Sequence, residues 1–295
     1  MSPQPIGTPA STVYDNRTAQ ALGAGLRAID RLVPPLGTRA AFRLFCTPLP
    51  WKLARRKLPA PWSTVTWPFE GVSLAVYHRS DIPPGRPVVL VVHGWAGSAT
   101  QLRPIGDALA AEGFNPRLLD FPGHGRSRGW RSTLPQFSRA IYAVASRVGP
   151  LHAVVAHSLG ALAALHAAGS GLSVQRLVLI APPASPVTFL DVFAGSFRLA
   201  ASLPQRMRQH IERAEGVSLA EFEPDWFAAR VAQPTLVIHD EHDRVAPFTA
   251  GQRIANALPA ARLHMTQGST HRRVMSDAAV ATEVVRHCAG ARTRQ

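Results

Sequence analysis

The stretch AVVAHSLGALAA, residues 153–164, decides the fold class of this chain. Apolar residues lead into a single serine, Ser158, and an alanine-rich segment with the composition of a helix follows directly. A buried strand that turns sharply into a helix needs small side chains around the turn, and Ala156, Gly160 and Ala161 provide them. We therefore expect the hydroxyl of Ser158 at the tip of a tight turn, at the edge of a parallel sheet where the strands end.

This placement of Ser158 leaves two interpretations open. A serine that precedes a helix is often only an N-cap, and the pattern around one serine is weak evidence of chemistry. The same geometry also exposes a nucleophile, with the backbone amide of Leu159 at the helix start free to bind developing negative charge. Signals elsewhere in the sequence are needed to distinguish an N-cap from a nucleophile.

Short β-rich runs alternate with helix-length segments along the chain, and this rhythm predicts a parallel sheet. The runs cover residues 86–94, 115–121, 151–157, 175–181, 233–240 and 261–267. An alternating segment at 63–80, with a turn at Glu70 and Gly71, predicts an antiparallel hairpin ahead of them. Segments such as ATQLRPIGDALAAEG, PQFSRAIYAVASRVG and TAGQRIANALP have the apolar spacing of helices. The predicted fold is α/β, with eight mostly parallel strands flanked by helices.

Composition limits the classes of function. The 295 residues, 46% of them hydrophobic, are enough to bury an enzyme-sized core. No long apolar run and no signal-peptide pattern occur in the sequence, so we expect a cytoplasmic protein without a membrane span. Cys46 and Cys288 lie far apart and lack metal-type spacing, so neither a disulfide framework nor a zinc site is expected.

The net charge of +14 would by itself suggest nucleic acid or an anionic membrane as a partner. Of the 32 basic residues only Lys52 and Lys57 are lysines, and the arginines are scattered among alanines. This favours a compositional origin of the charge, and no nucleic-acid partner is expected. One cluster, WKLARRKL at 51–58, has two interpretations: peripheral contact with anionic lipid headgroups, or a solvated face.

Chain order strengthens the nucleophile interpretation. A serine nucleophile needs a base, and the base needs an acid, and on this topology the acid precedes the base. Asp243 follows the strand PTLVIHD in a turn closed by Pro247, and His271 lies in the polar turn GSTHRRV before the last helix. Both side chains are expected at the sheet edge that carries Ser158. Other carboxylates near that turn are Asp240 and Glu241, and other histidines late in the chain are His264 and His287.

Five segments together resemble the α/β-hydrolase family, in its serine-nucleophile, esterase- and lipase-like branch. They are VVHGWAGSATQL, LLDFPGHGRSRG, AVVAHSLG, LVIHDEHDRVAP and GSTHRRV, and the resemblance covers roughly residues 60–290. It implies Ser158 as nucleophile, His271 as base and Asp243 as acid, the last because of its spacing from the following valine and proline. It also implies an oxyanion hole made by the backbone amides of Trp95 and Leu159. Ala156 replaces the first glycine of the family's turn, and we expect only a slight shift.

The resemblance also assigns structural roles. It places the loop after the fourth strand behind the site, where glycines around a histidine suit a tight turn better than catalysis. The residues interpreted as structural are His93, Asp120, Gly123, His124, Gly125 and Ser127.

A serine at this turn implies acyl transfer, since relatives that dehalogenate or open epoxides use aspartate there. We expect attack on a carboxylic ester, an acyl-enzyme, and hydrolysis by water activated through His271, with no metal or organic cofactor. The same triad would also serve a thioesterase, a lactonase, a peptidase or a carbon–carbon hydrolase. A receptor without turnover on the same fold is a further alternative.

The insertion between the sixth and seventh strands, residues 185–231, occupies the position of the family's helical cap. Its apolar residues favour a moderately apolar ester substrate, although helix packing explains them as well. Its arginines Arg206, Arg208 and Arg213 could meet an anionic substrate group or form a solvated face. The residues expected to border the substrate are Trp95, His157, Phe189, Phe193 and Trp226, although His157 also suits a role in orienting the backbone.

The predicted domain boundaries follow from these assignments. Residues 61–184 and 232–290 form the core, 185–231 the cap, and 291–295 a disordered tail. Residues 1–60 form a partly helical extension, with helix candidates at 19–33 and 38–45 separated by PPLG. The sequence leaves open whether the extension packs on the core, contacts a membrane or mediates dimerisation.

Overall fold

The computed structural model describes residues 17–48 and 57–290. Predictions that fall on residues 1–16, on most of the basic cluster at 51–58 and on the tail 291–295 lie outside the described residues.

Eight strands form one sheet in the order β1-β2-β4-β3-β5-β6-β7-β8. The strands are β1 (Trp62–Phe69), β2 (Val72–Arg79), β3 (Val88–Val92), β4 (Asn115–Asp120), β5 (Leu151–His157), β6 (Val174–Ile180), β7 (Thr235–Asp240) and β8 (Ala261–Thr266). Strand β2 runs antiparallel to both β1 and β4, and every other neighbouring pair is parallel. The prediction of an eight-stranded, mostly parallel sheet is confirmed.

The hairpin β1–β2 turns where the sequence predicts. Phe69 pairs with Val72 across a two-residue turn, and Glu70 and Gly71 have φ angles of 42° and 72°. Positive φ at both central residues is the mark of a type I′ turn, whose twist matches that of the flanking strands.

Helices cover both faces of the sheet. They are α1 (Arg17–Leu32), α2 (Pro34–Phe45), α3 (Arg103–Ala111), α4 (Leu134–Val148), α5 (Leu159–Gly169), α6 (Val187–Ser196), α7 (Leu203–Glu215), α8 (Pro224–Ala228), α9 (Phe248–Ala257) and α10 (Ala278–Ala289). Short 3₁₀ turns lie at Ala99–Leu102, Leu219–Phe222 and Arg273–Ser276. Within the described ranges no helix has both the length and the hydropathy to cross a bilayer.

Strand β3 shows how the sheet divides the apolar core. Leu90 and Val92 belong to a cluster that includes residues of α4 and α5, and Val89 and Val91 belong to a second cluster with residues of α3 and α10. Alternate residues of a strand point to opposite faces, so β3 is buried on both sides. The central strands are therefore rigid supports for the loops at their ends.

The extension before the sheet differs from its prediction in one respect. The sequence PPLG was expected to separate two helices, but Pro34 and Pro35 begin α2, and only Val33 lies between α1 and α2. A proline is tolerated in the first turn of a helix because the amide it lacks would have no partner there. The prediction of a break over PPLG was wrong for this reason.

Helices α1 and α2 pack against the helices that follow β6. The carboxylate of Asp30 accepts two hydrogen bonds from Nη2 of Arg206 on α7, at 2.6 and 2.8 Å. Arg27 donates to the carbonyl of Phe197 just after α6, at 2.7 Å. The extension is thus attached to the inserted segment through polar contacts just after α6 and on α7.

Candidate active site

Ser158 occupies a strained turn between β5 and α5. Its φ of 54° and ψ of −127° are unusual for a residue with a side chain, and such conformations cost about 1–3 kcal/mol. The amide of Ser158 donates to the carbonyl of Ile180 at 2.9 Å, and the amide of Ala161 donates to the carbonyl of Ser158 at 2.8 Å. These bonds fix the turn from both sides and hold the side chain at the end of the strand.

Two glycines allow other backbone segments to approach this turn. A Cβ added to Gly94 would lie 2.6 Å from Cβ of Ser158, and one added to Gly160 would lie 2.4 Å from the carbonyl oxygen of His93. Neither position has room for a side chain. The loop after β3 therefore lies directly against Ser158.

Three of the predicted site residues form one hydrogen-bonded chain. The hydroxyl of Ser158 lies 2.9 Å from Nε2 of His271, and Nδ1 of His271 lies 2.7 Å from Oδ2 of Asp243. A proton on Nδ1, bound to the carboxylate, leaves Nε2 free to accept the hydroxyl proton. Each of the three residues is less than one-tenth exposed. Their positions, after β5, β8 and β7, bring them to one edge of the sheet.

The second oxygen of Asp243 is bound by the backbone. Oδ1 accepts from the amides of Val245 at 2.7 Å and Ala246 at 3.1 Å. Burial alone raises the pKa of the Asp243 carboxyl, but the hydrogen bond from His271 and these two amides bring it below its usual value. The carboxylate therefore stays ionised against the imidazole.

The alternative acids and bases have other partners. Asp240 accepts from the amides of His242 and Ser269, at 3.1 and 3.0 Å, and so ties two loops together. Glu241 accepts from the side chain of Gln267, His264 lies within β8, and His287 contacts the carbonyl of Pro234.

His157 was expected to border the substrate, but its ring is turned inward. Nε2 donates to the carbonyl oxygen of His271 at 2.7 Å, and the two rings lie 4.7 Å apart between centroids. Burial is the main cause that lowers the pKa of His157 to about 3, so the ring is neutral. This side chain positions the loop that carries His271, as the alternative interpretation of it anticipated.

His124, in the loop after β4, has a comparable role in holding the loop after β3. Its Nδ1 donates to the carbonyl of Pro122 at 2.9 Å, and its Nε2 accepts the amide of Ala96 at 3.1 Å. Burial lowers the pKa of His124 to about 3 and that of His93 to about 4. Both rings are neutral and bound to backbone groups, which supports their interpretation as structural.

Two backbone amides near Ser158 lack partners. Leu159 is the first residue of α5, so its amide has no acceptor within the helix. No described residue accepts a hydrogen bond from the amide of Trp95, although the next amide, that of Ala96, is bound by His124. These are the two amides that the family resemblance implies for an oxyanion hole.

Trp226, a predicted substrate contact, packs near the end of α5 that is opposite Ser158. Its ring stacks on His166, with centroids 5.2 Å apart, and a Cβ at Gly169 would lie 2.5 Å from it. Helix α5 is roughly 16 Å long, and Gly169 is at the end opposite Ser158. The indole fills the space that the missing side chain of Gly169 leaves.

The remaining apolar candidates differ in their surroundings. Phe193 is buried between Phe45 and Phe197, with centroid distances of 5.4 and 5.0 Å. Its ring therefore packs against a residue of the extension. Phe189 and Trp95 are half-buried, and substrate contact by these two stays a prediction. No signal in the sequence indicated that α2 covers α6.

Comparison with known proteins gives one family and several partial relatives. A family model described as "Serine aminopeptidase, S33" (Hydrolase_4) matches residues 83–222. The pimeloyl-[acyl-carrier protein] methyl ester esterase of Xanthomonas campestris is 35% identical over 95 residues, which are 32% of this chain and 36% of that relative. The chain thus spans about a third of the length of the curated relatives it matches.

Solved structures resemble the chain over most of its length. Est1E from Butyrivibrio proteoclasticus superposes with a TM-score of 0.60 at 17% identity, covering 75% of this chain and 96% of its own. The esterase Pf2001 of Pyrococcus furiosus gives 0.59 at 18% identity, covering 79% and 95%. At such identities the likeness shows the fold alone.

Proposed function

We propose that this chain, which has the α/β-hydrolase fold, hydrolyses carboxylic esters through an acyl-enzyme intermediate. The observation that carries the proposal is the hydrogen-bonded chain from Ser158 through His271 to Asp243. The matched region of the Xanthomonas relative, whose name is that of a methyl ester esterase, supports an ester as the substrate.

In the first step the oxygen of Ser158 attacks the ester carbonyl while Nε2 of His271 takes the hydroxyl proton. The carboxylate of Asp243 stabilises the imidazolium that forms. The amides of Trp95 and Leu159 donate to the carbonyl oxygen as it becomes negative, and each such donor contributes about 3–4 kcal/mol in well-studied hydrolases. The imidazolium then gives its proton to the leaving alcohol.

In the second step water attacks the acyl group on Ser158, and Nε2 of His271 again takes the proton. Collapse of the intermediate releases the carboxylic acid and returns the hydroxyl proton to Ser158. We assign substrate selection to the helices between β6 and β7, the segment that the family resemblance interprets as a cap. Phe189 on α6 and Trp95 are the side chains we expect next to the acyl group.

A fluorophosphonate probe at neutral pH tests the proposed nucleophile. We expect labelling of the native protein and its loss in both Ser158→Ala and His271→Ala. The exposed Ser146→Ala variant is the matched control and should label like the native protein. Failure of the folded native protein to label, or labelling that persists in Ser158→Ala, would contradict the assignment.

The bond that is cleaved needs a separate test. We expect turnover of p-nitrophenyl esters, compared across an acyl-chain series with matching thioesters and aminoacyl p-nitroanilides. The anilides are included because the family model carries the name of a peptidase. Turnover of the anilides without turnover of the esters would replace the esterase proposal with a peptidase.

A further inference from the structure

An exposed apolar turn joins α1 and α2. All of residues 31–36, RLVPPL, are exposed, and Leu32, Val33 and Leu36 are 81%, 49% and 51% exposed. We call residues 31–36 the tip. Of the six large hydrophobic side chains exposed among the described residues, three belong to the tip, namely Leu32, Val33 and Leu36, and a fourth, Leu22, lies further back on α1. Contiguous apolar surface of this kind marks a site of interaction.

The tip is held in place from beneath. A Cβ at Gly37 would lie 2.4 Å from Cα of Asp30, so α2 lies directly against α1 just behind the tip. Asp30 is itself buried and bound by Arg206. The two prolines at the start of α2 further restrict the backbone. The apolar side chains are therefore presented outward by a rigid support.

Cationic side chains surround the tip. A groove of about 360 Å³ between α2 and α7 begins at Pro34 and Pro35 and contains Arg39, His210 and Arg213. Neither Arg39 nor Arg213 forms an ion pair with a described residue, and the same holds for Arg31 on the tip itself.

None of the residues that line this groove is acidic, and the carboxylate bound to its Arg206 is already engaged. Asp30 binds Arg206, whose buried Nε has no hydrogen-bond partner among the described residues. Burial lowers the pKa of His210, and the nearby guanidinium groups of Arg213 and Arg39 lower it further. Among the described residues, the guanidinium groups of Arg39 and Arg213 beside the tip thus have no paired carboxylate, although Arg213 donates to the carbonyl of Gln209.

We propose that the tip and this groove dock on an anionic membrane surface. Leu32, Val33 and Leu36 enter the boundary between headgroups and acyl chains, and Arg39 and Arg213 contact lipid phosphates. The apolar side chains suit the acyl chains of such a surface, and the flanking arginines suit its anionic headgroups. A second copy of the chain fits less well, because a two-fold interface here would bring the same arginines together. The proposal does not depend on the role of Ser158.

Vesicle sedimentation with the full chain tests the docking surface. We expect binding to vesicles of phosphatidylglycerol and phosphatidylcholine in equal parts, weak binding to phosphatidylcholine alone, and weaker binding at high salt. The double variant Leu32→Ser/Leu36→Ser should lower the partition coefficient at least about tenfold. Arg39→Gln and Arg213→Gln should each lower it about fivefold.

Control variants and tests for other ligands of the tip distinguish membrane docking from its alternatives. Met265→Ser and Arg253→Gln change exposed residues of the same types elsewhere and should bind like the native protein. Thermal unfolding confirms that each variant is folded. Unchanged vesicle binding in the tip variants would overturn the proposal. So would binding of inorganic phosphate without vesicle binding, or a dimer in sedimentation velocity that only the tip variants dissociate.

Discussion

At the scale of single residues, the proposed chemistry depends on backbone contacts more than on side-chain contacts. His157, His124 and His93 are buried near Ser158, and each bonds to carbonyl or amide groups of the loops around it. Through these hydrogen bonds the three histidines hold the loops that position Ser158 and His271. Removing such a support should displace the reacting groups without removing any of them.

His157→Ala is expected to slow fluorophosphonate labelling and kcat by about tenfold to a hundredfold, with little change in KM. The lost hydrogen bond frees the loop of His271, and small misplacements of a catalytic group have effects of this size. The rates of labelling and of ester turnover measure the effect.

His152→Ala is the matched control for His157→Ala. His152 lies on the same strand, roughly 16 Å away, and contacts the carbonyl of Cys288 at the same distance of 2.7 Å. Both variants should lose about 1–3 kcal/mol of unfolding free energy. Only His157→Ala should slow the reaction, and equal rates in the two variants would refute its positioning role.

Gly160→Ala tests the close approach of α5 to the loop after β3. Alanine is the better helix former by about 1 kcal/mol, but its Cβ would lie 2.4 Å from the carbonyl oxygen of His93. We expect the clash to prevail and the unfolding free energy to fall by about 1–3 kcal/mol. Gly195→Ala on α6, where no atom lies within 4 Å, should instead gain about 0.5–1 kcal/mol in urea unfolding.

The residues that could be predicted from the sequence are those with a local signal. Ser158 has small neighbours on both sides of a strand-to-helix turn, and Asp243 and His271 follow strands in the expected order. The contacts of His157 and Trp226 could not be predicted, because each depends on a partner that is far away in the chain.

At the scale of elements, too, the features with a local sequence signal were predicted correctly, and those without one were not. The hairpin at Glu70 and Gly71 was predictable because two alternating segments flank a glycine, Gly71, that adopts positive φ without strain. The sequence predicts α2 too short, because Pro34 and Pro35 suggest a break between helices. In the structure these two prolines form the first turn of α2. Helix α6 lacks a clear apolar period, and Phe45 of the extension packs on its Phe193, whereas the buried residues Leu203, Met207 and Ile211 of α7 recur every four positions.

The attachment of the extension to α7 leads to a prediction about Asp30 and Arg206. The carboxylate is buried and bound twice by one guanidinium nitrogen, so each single alanine variant leaves a buried partner without its bond. A double-mutant cycle in urea unfolding should give a coupling energy of about 1–2 kcal/mol.

Arg208 and Glu212 provide the comparison for that cycle. They form a partly exposed pair one turn apart on the same helix, 3.0 Å between Nε and Oε1, and should couple by about 0.3–0.5 kcal/mol. Equal coupling in the two cycles would mean that the extension is held by apolar contacts and not by Asp30.

At the scale of the whole molecule, the buried histidines make stability depend on pH. The pKa values of His93, His124 and His157 lie near 4, 3 and 3 in the folded chain, against about 6.5 when unfolded. Below pH 6.5 the unfolded chain therefore binds protons that the folded chain does not. The unfolding free energy must fall as pH falls, by up to about 1.4 kcal/mol per pH unit for each ring.

His124→Gln should remove one of these three contributions. A glutamine can still accept from the amide of Ala96, so the fold is expected to survive with an offset in stability. Between pH 6 and 4.5 the slope of unfolding free energy against pH, measured in urea, should be smaller by about 1.4 kcal/mol per unit than in the native protein. Above pH 7 the two curves should run parallel, because neither state then gains protons at position 124.

Burial raises the pKa of Asp120, which acts on stability in the opposite direction, but this effect is the same in both proteins and cancels in the difference. Identical slopes between pH 6 and 4.5 would show that His124 is protonated in the folded chain, and hence that the loop after β3 opens in acid before the sheet does.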